Sequence, residues 1–280
     1  MTWSDALPGR PPTDGLVAVD FMCLSLPSTR RHGCAKINGA TVGLGVLFAL
    51  AVDHRPGQRP AQVLATVDGA WHDGTEIAPG MLRARGPTHL MDRGFYTLAN
   101  LNLWLAEGVH FIVRARARHL HWRPLRVCGP PRPAGDLVIE HDVIAEIGGP
   151  HCRVRRPRVR LVFARMAKGR DLVLVSDHTR WSAERLLAAY LMRWKVERFH
   201  HFLKESIGLA HLYSFQQRGL ETLLWVALLL VGLLMAQPAD GQSVKLMLQA
   251  WQALRRAEGL GHLWRPNTAR RKRGWKWAPG

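Results

Sequence analysis

The residue types best suited to chemistry recur at fixed spacing in residues 190–209, which read YLMRWKVERFHHFLKESIGL. A phenol, a guanidinium, a carboxylate and an ammonium group lie there on Tyr190, Arg193, Glu197 and Lys204. At about 100° per residue of helix, these four fall within an arc of about 60°. An apolar stripe lies opposite, formed by Met192, Val196, Phe199 and Leu203. The spacing predicts a helix that packs by one face and presents a carboxylate among cations on the other. A solvated face with an ordinary i,i+4 pair of Arg193 and Glu197 is the alternative.

Two aspartates lie in or at the end of apolar runs of strand length. Asp20 interrupts residues 16–26, and Asp92 ends residues 88–92. An acid in an apolar strand is costly unless it is paired or binds a metal. Three carboxylates from two strands and a helix can hold two divalent ions about 3.5–4 Å apart, which activate a water or a 3′-hydroxyl and stabilise the leaving oxygen. Asp20, Asp92 and Glu197 are therefore the candidate catalytic and metal-binding residues, with two Mg²⁺ ions, or Mn²⁺ as substitute, as the expected cofactor. The residues alone leave Asp14, Asp53, Asp68 and Asp73 open as alternatives to Asp20.

The composition is that of a basic globular protein. Its 280 residues suffice for one large domain or two modest ones, and 47% of them are hydrophobic. Lys and Arg number 39 against 21 Asp and Glu, for a formal net charge of +18. This excess indicates a polyanionic partner: nucleic acid is favoured, and a membrane surface is the alternative. The four cysteines form no C-x-x-C pair and have no zinc-finger spacing with histidine, which argues against a structural zinc site.

The hydrophobic pattern predicts an α/β fold. Strands are expected at residues 16–26, 42–52, 62–67, 88–92, 110–114 and 171–176, and helices at residues 98–107 and about 182–207. Ser182 is the expected N-cap of the long helix, with Glu184 in its first turn. The apolar run of residues 222–236 is shorter than the roughly 20 residues of a membrane span, so it predicts a buried core helix.

Three blocks of this sequence together resemble bacterial insertion-sequence transposases with a DDE triad and a YREK signature. Tyr190, Arg193, Glu197 and Lys204 have the signature's spacing; residues 92–117 (DRGFYTLANLNLWLAEGVHFIVRARA) resemble the family's second-aspartate region, and residues 17–27 its first-aspartate strand. The resemblance covers about residues 16–237. It implies a ribonuclease-H-like fold, a mixed sheet flanked by helices, with a β-rich insertion before the helix of the catalytic glutamate. It also implies that Asp20, Asp92 and Glu197 bind the catalytic metals, and that the signature's tyrosine, arginine and lysine contact DNA phosphates.

The expected domain organisation follows from the resemblance and the composition. Residues 1–15 form an N-terminal arm, residues 16–114 the first part of the catalytic core, residues 115–168 a β-rich insertion, residues 169–238 the second part of the core, and residues 239–280 a basic tail. Relatives carry a helical DNA-recognition region before the first aspartate, whereas only 19 residues precede Asp20, so the arm is interpreted as a truncation. Two interpretations of the tail remain: a DNA-binding segment or a solvated one. For His200 and His201 the alternatives are packing residues or residues that contact DNA or the active site.

The function implied by the resemblance is that of a cytoplasmic, nucleoid-associated DNA transposase with no membrane partner. It cuts DNA at insertion-sequence ends and transfers the strand into target DNA, so terminal repeats and target DNA are the expected partners. A homodimer in a paired-end complex stays open. The alternatives are a truncated, non-catalytic DNA-binding remnant and a structure-specific nuclease that cuts without joining. The remnant would bind DNA with a steep salt dependence and never cut it.

Overall fold

In the part of the chain that the structure describes, the apolar runs form strands that join in a sheet of eleven strands. The computed structural model describes residues 15–25, 36–37, 40–52, 61–68, 82, 86–150, 152–166, 171–209 and 217–236. Its strands are β1 (Leu16–Ser25), β2 (Lys36–Ile37), β3 (Ala40–Ala51), β4 (Ala61–Asp68), β5 (Thr88–Met91), β6 (His110–Ala115), β7 (Trp122–Gly129), β8 (Arg132–Ala134), β9 (Leu137–Ile147), β10 (Arg158–Met166) and β11 (Asp171–Ser176). Its helices are α1 (Leu98–Glu107), α2 (Ala183–Leu191), α3 (Trp194–His201) and α4 (Gln217–Ala236). The predicted arm, apart from Gly15, and the predicted basic tail lie outside the described residues.

The sheet is mixed, as the sequence predicted. β3 pairs antiparallel with β1 and with β4, whereas β5 pairs in parallel with both β1 and β6. The order β4-β3-β1-β5-β6 therefore has three antiparallel strands followed by two that run parallel to β1. α1 makes the crossover between β5 and β6, with Thr97 capping its first turn and Gly108 ending it in the left-handed conformation.

The segment predicted as a β-rich insertion is rich in strands and continues the same sheet. β11 pairs antiparallel with β6, and β10, β9 and β7 follow it outward in that order. Arg160 lies opposite Ser176, and Arg165 lies opposite Asp171, so β10 and β11 pair along six successive residues. The expectation of an insertion set apart from the main core did not anticipate this continuity, because strand pairing between distant segments leaves no periodic mark in the sequence.

Each face of the sheet has its own core. Val17 and Val19 of β1 face one core, where Leu101 and Trp104 of α1 are fully buried. Ala18, Met22 and Leu24 face the other core, which α2, α3 and α4 cover. Because successive side chains of a strand point to opposite faces, β1 is apolar on both sides, as is usual for a central strand with parallel pairing.

The predicted long helix of residues 182–207 is interrupted, and this corrects the sequence interpretation. Ser182 caps α2 as predicted, its hydroxyl accepting a hydrogen bond from the backbone N–H of Arg185. α2 ends at Leu191, a turn follows, α3 begins at Trp194, and a wider π-type turn covers Phe202–Ser206. The residue pattern did not reveal the break, because hydrophobic positions at helical spacing recur on both sides of it.

The apolar helix α4 packs by one side only. Leu224, Ala227, Leu228 and Val231 are buried in the core beneath it. Val226 and Leu229 on its other side are about half exposed (50% and 48%), so the predicted core helix is buried on one face only. Among the described residues, no helix combines the length and apolar character needed to cross a bilayer.

A buried ion network ties the outer strands to the start of α2. The carboxylate of Asp142 on β9, only 1% exposed, accepts hydrogen bonds from the guanidinium groups of Arg160 and Arg132. Arg160 also donates to the carbonyl of Thr179, and Arg132 donates to the carboxylate of Glu184 in the first turn of α2. The hydrogen bond from Arg132 lowers the pKa of Glu184 to about 2. The network therefore fixes the position of α2 relative to β8, β9 and β10.

Substituting Asn for Asp142 should destabilise the fold by about 3–5 kcal/mol, because it leaves the buried guanidinium of Arg160 without its negative charge. Arg132, which is partly exposed, keeps its ion pair with Glu184. The measurement is the free energy of unfolding in urea. Glu146→Gln is the matched control: it removes a carboxylate from the same strand whose partner, Arg123, is mostly exposed (68%), so its cost should stay below about 1 kcal/mol. Equal losses in the two variants would contradict the role of the network.

Candidate active site

Parallel pairing of β1 with β5 brings Asp20 and Asp92 side by side. Val19 lies opposite Met91, and each aspartate follows one residue later. Asp92 keeps an extended backbone (φ −78°, ψ −179°), so it continues the direction of β5. Adjacent strands lie about 4.8 Å apart, which sets the spacing of the two residues. Asp20 lies between Ala18 and Met22 on the face covered by α2, α3 and α4.

α3 brings Glu197 to the same face. Arg193, just before α3, donates a hydrogen bond to the carboxylate of Glu197, and its Nη1 lies 3.9 Å from Oδ2 of Asp20. α3 packs against β1, and Nζ of Lys195 donates to the carbonyl of Val52 at 2.8 Å. The i,i+4 pair predicted from the sequence is present. Arg193 is only 9% exposed, however, so the alternative of a solvated surface pair is wrong.

Asp20 experiences both the cost of burial and the charge of its neighbours. Burial raises the pKa of Asp20 from 3.8 to about 6, although the Arg193 guanidinium and a hydrogen bond from the backbone N–H of Phe21 oppose the rise. The negative charges of Asp92 and Glu197 raise the pKa of Asp20 further. The three predicted carboxylates therefore lie close enough to repel one another, and Arg193 compensates that repulsion only in part.

A tight turn holds the carboxylate of Asp92. Its Oδ1 accepts a hydrogen bond from the backbone N–H of Gly94 at 2.7 Å, and Asp92 thereby caps the short helical turn Arg93–Phe95. A Cβ atom at residue 94 would lie 3.0 Å from the same Oδ1. Glycine at this position therefore leaves room for the aspartate carboxylate. This steric requirement explains why Gly94 follows Asp92 by two residues. Among the described residues, none donates a hydrogen bond to Oδ2 of Asp92.

The signature residues do not share one exposed helix face, which corrects a second expectation. Tyr190 is buried at the end of α2, with the Arg193 guanidinium carbon 5.9 Å from the centre of its ring. Burial raises the pKa of the Tyr190 hydroxyl, against the opposing charges of Arg193 and Arg114. Lys204 lies in the π-type turn, half-exposed, and its charge acts on His200. The backbone of Met192 and Arg193 stays in the right-handed helical region, and the Arg193 side chain lies against both the Tyr190 ring and Glu197.

His200 is a site neighbour whose role the sequence left open. Its Nδ1 lies 3.7 Å from Oδ2 of Asp20, and its ring packs against Phe48 with centroids 5.5 Å apart. Burial lowers the pKa of His200 to about 3, with the charges of Lys204 and Arg193 acting in the same direction. His200 is therefore neutral at physiological pH. Its contact with Asp20 could not be predicted from the sequence, which shows only a histidine next to an apolar stripe.

The donor set around Asp20 fits a hard divalent cation. Oδ2 of Asp20 makes no hydrogen bond to a described residue, since the contacts to Arg193 and His200 exceed hydrogen-bond length. Nε of Arg193 and Nε2 of His200 are buried without a hydrogen-bond partner in the part of the chain that is described. Carboxylate oxygens from two strands and a helix, on a partly exposed site, are the ligands that Mg²⁺ and Mn²⁺ prefer. Asp20, Asp92 and Glu197 are the residues that can hold such ions.

A second cluster, at the opposite end of these strands, was missed by sequence reasoning. Nδ1 of His110 lies 2.6 Å from Oδ2 of Asp177, and His178 follows directly along the chain. β5 pairs with β6 so that Thr88 lies opposite His110, about 13 Å along β5 from its aspartate end. Only the strand register brings these residues together, and no local motif marks them.

This cluster has metal-ligand residue types but packs as a brace between strands. Oδ1 of Asp177 accepts the backbone N–H of Phe111, and Nε2 of His178 is hydrogen-bonded to Thr88. The ring of His178 is stacked on Trp181, with centroids 4.0 Å apart and planes 5° from parallel. The candidate ligand atoms of His110, Asp177 and His178 lie within 4.8 Å of one another, so these residues could hold a metal ion. Nδ1 of His110 and Nε2 of His178 are, however, already hydrogen-bonded within the protein. The cluster is separate from the carboxylate site.

Comparisons with known proteins agree with the fold and identify the family. The family described as "Transposase DDE domain" matches residues 11–233. The "Probable transposase for insertion sequence element IS5377" of Geobacillus stearothermophilus is 25% identical over 169 residues, which are 60% of this chain and 43% of that relative. The chain thus spans less than half the length of this curated relative.

A solved structure has a similar fold. It is the cryo-EM structure of a piggyBac transposase synaptic complex with hairpin DNA, which superposes with a TM-score of 0.53 at 12% identity. The superposition covers 93% of this chain and 55% of that chain. At this identity the likeness concerns the fold alone, and it confirms the ribonuclease-H-like sheet expected from the sequence.

The raised pKa of Asp20 predicts a pH-dependent stability in the absence of divalent ions. A carboxyl group with a folded-state pKa above its unfolded value stabilises the fold at low pH and loses that contribution as the pH rises. The shift from 3.8 to about 6 corresponds to about 3 kcal/mol. Asp20→Asn should therefore gain stability relative to the unsubstituted protein between pH 4 and about pH 6. Urea unfolding in chelator across this range measures the difference, and parallel profiles would refute the assignment.

Proposed function

The chain belongs to the transposase DDE domain family, and we propose that it is a DNA transposase that cuts insertion-sequence ends and joins the freed strand to target DNA. The observation that carries this proposal is that β1, β5 and α3 bring Asp20, Asp92 and Glu197 to one face of the sheet, where the charges of Asp92 and Glu197 act on Asp20. The net charge of +18 supports a polyanionic substrate. Membership in the YREK-signature group is part of the proposal.

The proposed cofactor is Mg²⁺, or Mn²⁺ in its place, bound as two ions by Asp20, Asp92 and Glu197. Divalent metal ions are the cofactors that the DDE family implies. When bound, such ions neutralise phosphodiester charge, lower the pKa of an attacking water or 3′-hydroxyl and stabilise the leaving oxygen. Oδ2 of Asp20, which makes no hydrogen bond to a described residue, and the negative charges of Asp92 and Glu197 that act on Asp20 support this assignment.

The chain's own cations and phenol complete the proposed site. Tyr190, Arg193 and Lys204 contact phosphate oxygens near the cut end: an arginine binds phosphate with a planar fork, and a lysine with a point charge. Water attacks the phosphodiester, and the freed 3′-hydroxyl then attacks target DNA in line. Positioning and charge neutralisation supply the catalysis, so no covalent bond between protein and DNA forms. The raised pKa of the buried Tyr190 hydroxyl also disfavours its use as a nucleophile.

The proposed partners are transposon terminal repeats and target DNA, met in the nucleoid. A homodimer that pairs two ends would satisfy the need to bring both ends together. The proposed organisation keeps residues 16–114 and 169–238 as the two parts of the catalytic core and residues 115–168 as the β-rich insertion between them. Because the chain spans 43% of its curated relative, these whole-protein properties are proposals.

The test is a cleavage assay on supercoiled DNA that carries the two ends of the host element. We expect nicking with Mg²⁺ or Mn²⁺, none with chelator, and a loss of at least about a hundredfold in Glu197→Gln, which removes a metal ligand. Glu205→Gln is the matched control, because Glu205 is an exposed acid of the following turn and its substitution should leave the rate unchanged.

The products of the same assay separate the rival functions. Nicked ends that become joined to a second DNA support a transposase, and nicks without joining support a structure-specific nuclease. Tight, salt-sensitive binding without any nick would support a non-catalytic DNA-binding remnant and overturn the proposed activity.

A further inference from the structure

The carboxylate site has a neighbouring cation, Arg114, that neither the signature nor the triad includes. β5 pairs in parallel with β6 so that Met91 lies opposite Val113. Asp92 and Arg114 each follow one residue later, at adjacent positions of neighbouring strands. Since Asp20 is the corresponding residue of β1, these three residues form a row across three parallel strands. About 4.8 Å separates each strand of the row from the next.

Arg114 lies on the same face of the sheet as the carboxylates. Ile112, two residues earlier on β6, belongs to the core beneath α2 and α3, as do Leu90 on β5 and Ala18 on β1. Side chains two residues apart on a strand share a face. α2 packs against β6, and the charge of Arg114 acts on the hydroxyl of Tyr190. The guanidinium is therefore within electrostatic reach of the phenol that the proposed function assigns to DNA.

The guanidinium of Arg114 lacks an acidic partner among the described residues. Its one hydrogen bond is from Nη2 to the backbone carbonyl of Asp171, at 3.3 Å. Arg193, by contrast, is bonded to Glu197, and Arg160 is bonded to Asp142. Arg114 is half-exposed, so it keeps most of its five N–H donors available to a ligand from solvent.

A DNA phosphate at this site needs cationic groups beyond Arg193. The phosphodiester is negative, and it approaches three negative carboxylates. Cations bound at the site offset the charge of these carboxylates. Arg193 already compensates Glu197 and Asp20 from the helix side. Arg114 comes from β6, the strand next to that of Asp92 and on the opposite side of Asp92 from Asp20. There it can bind an oxygen of the substrate without displacing an existing ion pair.

We propose that Arg114 is a further DNA-contacting residue. Its guanidinium binds a phosphate oxygen of the DNA strand that is bound at Asp20, Asp92 and Glu197. This inference rests on the proposed function, because it takes that site to bind DNA. An arginine suits the role, since its planar fork can hold two phosphate oxygens at once.

The first test measures the salt dependence of DNA binding, with Ca²⁺ in place of Mg²⁺ so that no cutting occurs. The probe is a labelled duplex of one element end, read by fluorescence anisotropy. Removing one phosphate contact should lower the slope of log K against log salt by about 0.9. We expect that decrease, and a binding loss of roughly tenfold, in Arg114→Gln.

Arg165→Gln is the matched control. Arg165 is a mostly exposed arginine of β10 that contacts the side chain of Asp171 at 3.8 Å, next to the carbonyl that Arg114 uses. Its loss removes a positive charge and a contact to the same residue, but not from the carboxylate row. The control should keep the wild-type slope. An unchanged slope in Arg114→Gln, or the same decrease in both variants, would overturn the proposal.

Arg114→Lys keeps the charge and provides a second readout if Arg114→Gln fails to fold. It should keep the salt slope and lose cleavage rate, because lysine cannot make the bidentate contact. Wild-type cleavage rate in Arg114→Lys would overturn the bidentate contact.

Cleavage by the wild-type protein, set beside the salt slope of Arg114→Gln, separates this inference from the proposed function. If the wild-type protein does not cut but Arg114→Gln still lowers the slope, the phosphate contact stands and the proposed catalysis fails. If the wild-type protein cuts and Arg114→Gln binds and cuts like it, only the inference fails.

Discussion

The parallel register between β1 and β5 is the constraint on which the rest of the site depends. A shift of one residue would move every side chain of β1 to the other face of the sheet and take Asp20 away from α3. Two cores hold the register, because Val17 and Val19 fill one face while Ala18 and Met22 fill the other. The same pairing, continued to β6, aligns Arg114 with the two aspartates. Hydrophobic packing on both faces of the sheet thus sets the positions of Asp20, Asp92 and Arg114, although these polar groups are not part of either core.

The carboxylate row is a local departure from the rule that buried charges are well paired. Arg193 approaches Asp20 no closer than 3.9 Å, and the pKa of Asp20 stays raised by burial in spite of it. Nε of Arg193 and Nε2 of His200, both next to this carboxylate, also lack partners among the described residues. Such arrangements cost stability and are typical of functional sites, where a ligand completes the pairing. The cost is concentrated where two strands and a helix meet, and the cores on either side of the sheet offset it.

The sequence predicted those parts of the structure that depend on local pattern. β1, β3, β4, β5, β6 and β11 lie within two residues of their predicted bounds, and Ser182 caps α2 as its type and position indicated. The break at residues 192–193 was not predictable in this way, since the residues on either side of it keep helical spacing. Contacts that depend on register were also out of reach: the Asp142 network, the His110–Asp177 pair and the alignment of Arg114 with Asp92 join residues far apart in the chain. Asp20 was one of several candidate acids in the sequence. Of the alternatives, Asp14, Asp53 and Asp73 lie outside the described residues, and the pairing of β1 with β5 places Asp20 beside Asp92.

Two anchors, one at the start of α2 and one at the start of α3, explain why Arg193 faces inward. At the start of α2, Glu184 is bonded to Arg132, and through it to the buried Asp142. At the start of α3, Lys195 is bonded to the carbonyl that follows β3. A single straight helix has one axis and cannot adjust to two fixed points independently, whereas a turn between α2 and α3 lets each segment pack on its own part of the sheet. Because Arg193 lies at that turn, the outer strands that hold Asp142 act, through α2, on the position of the guanidinium that pairs with Glu197.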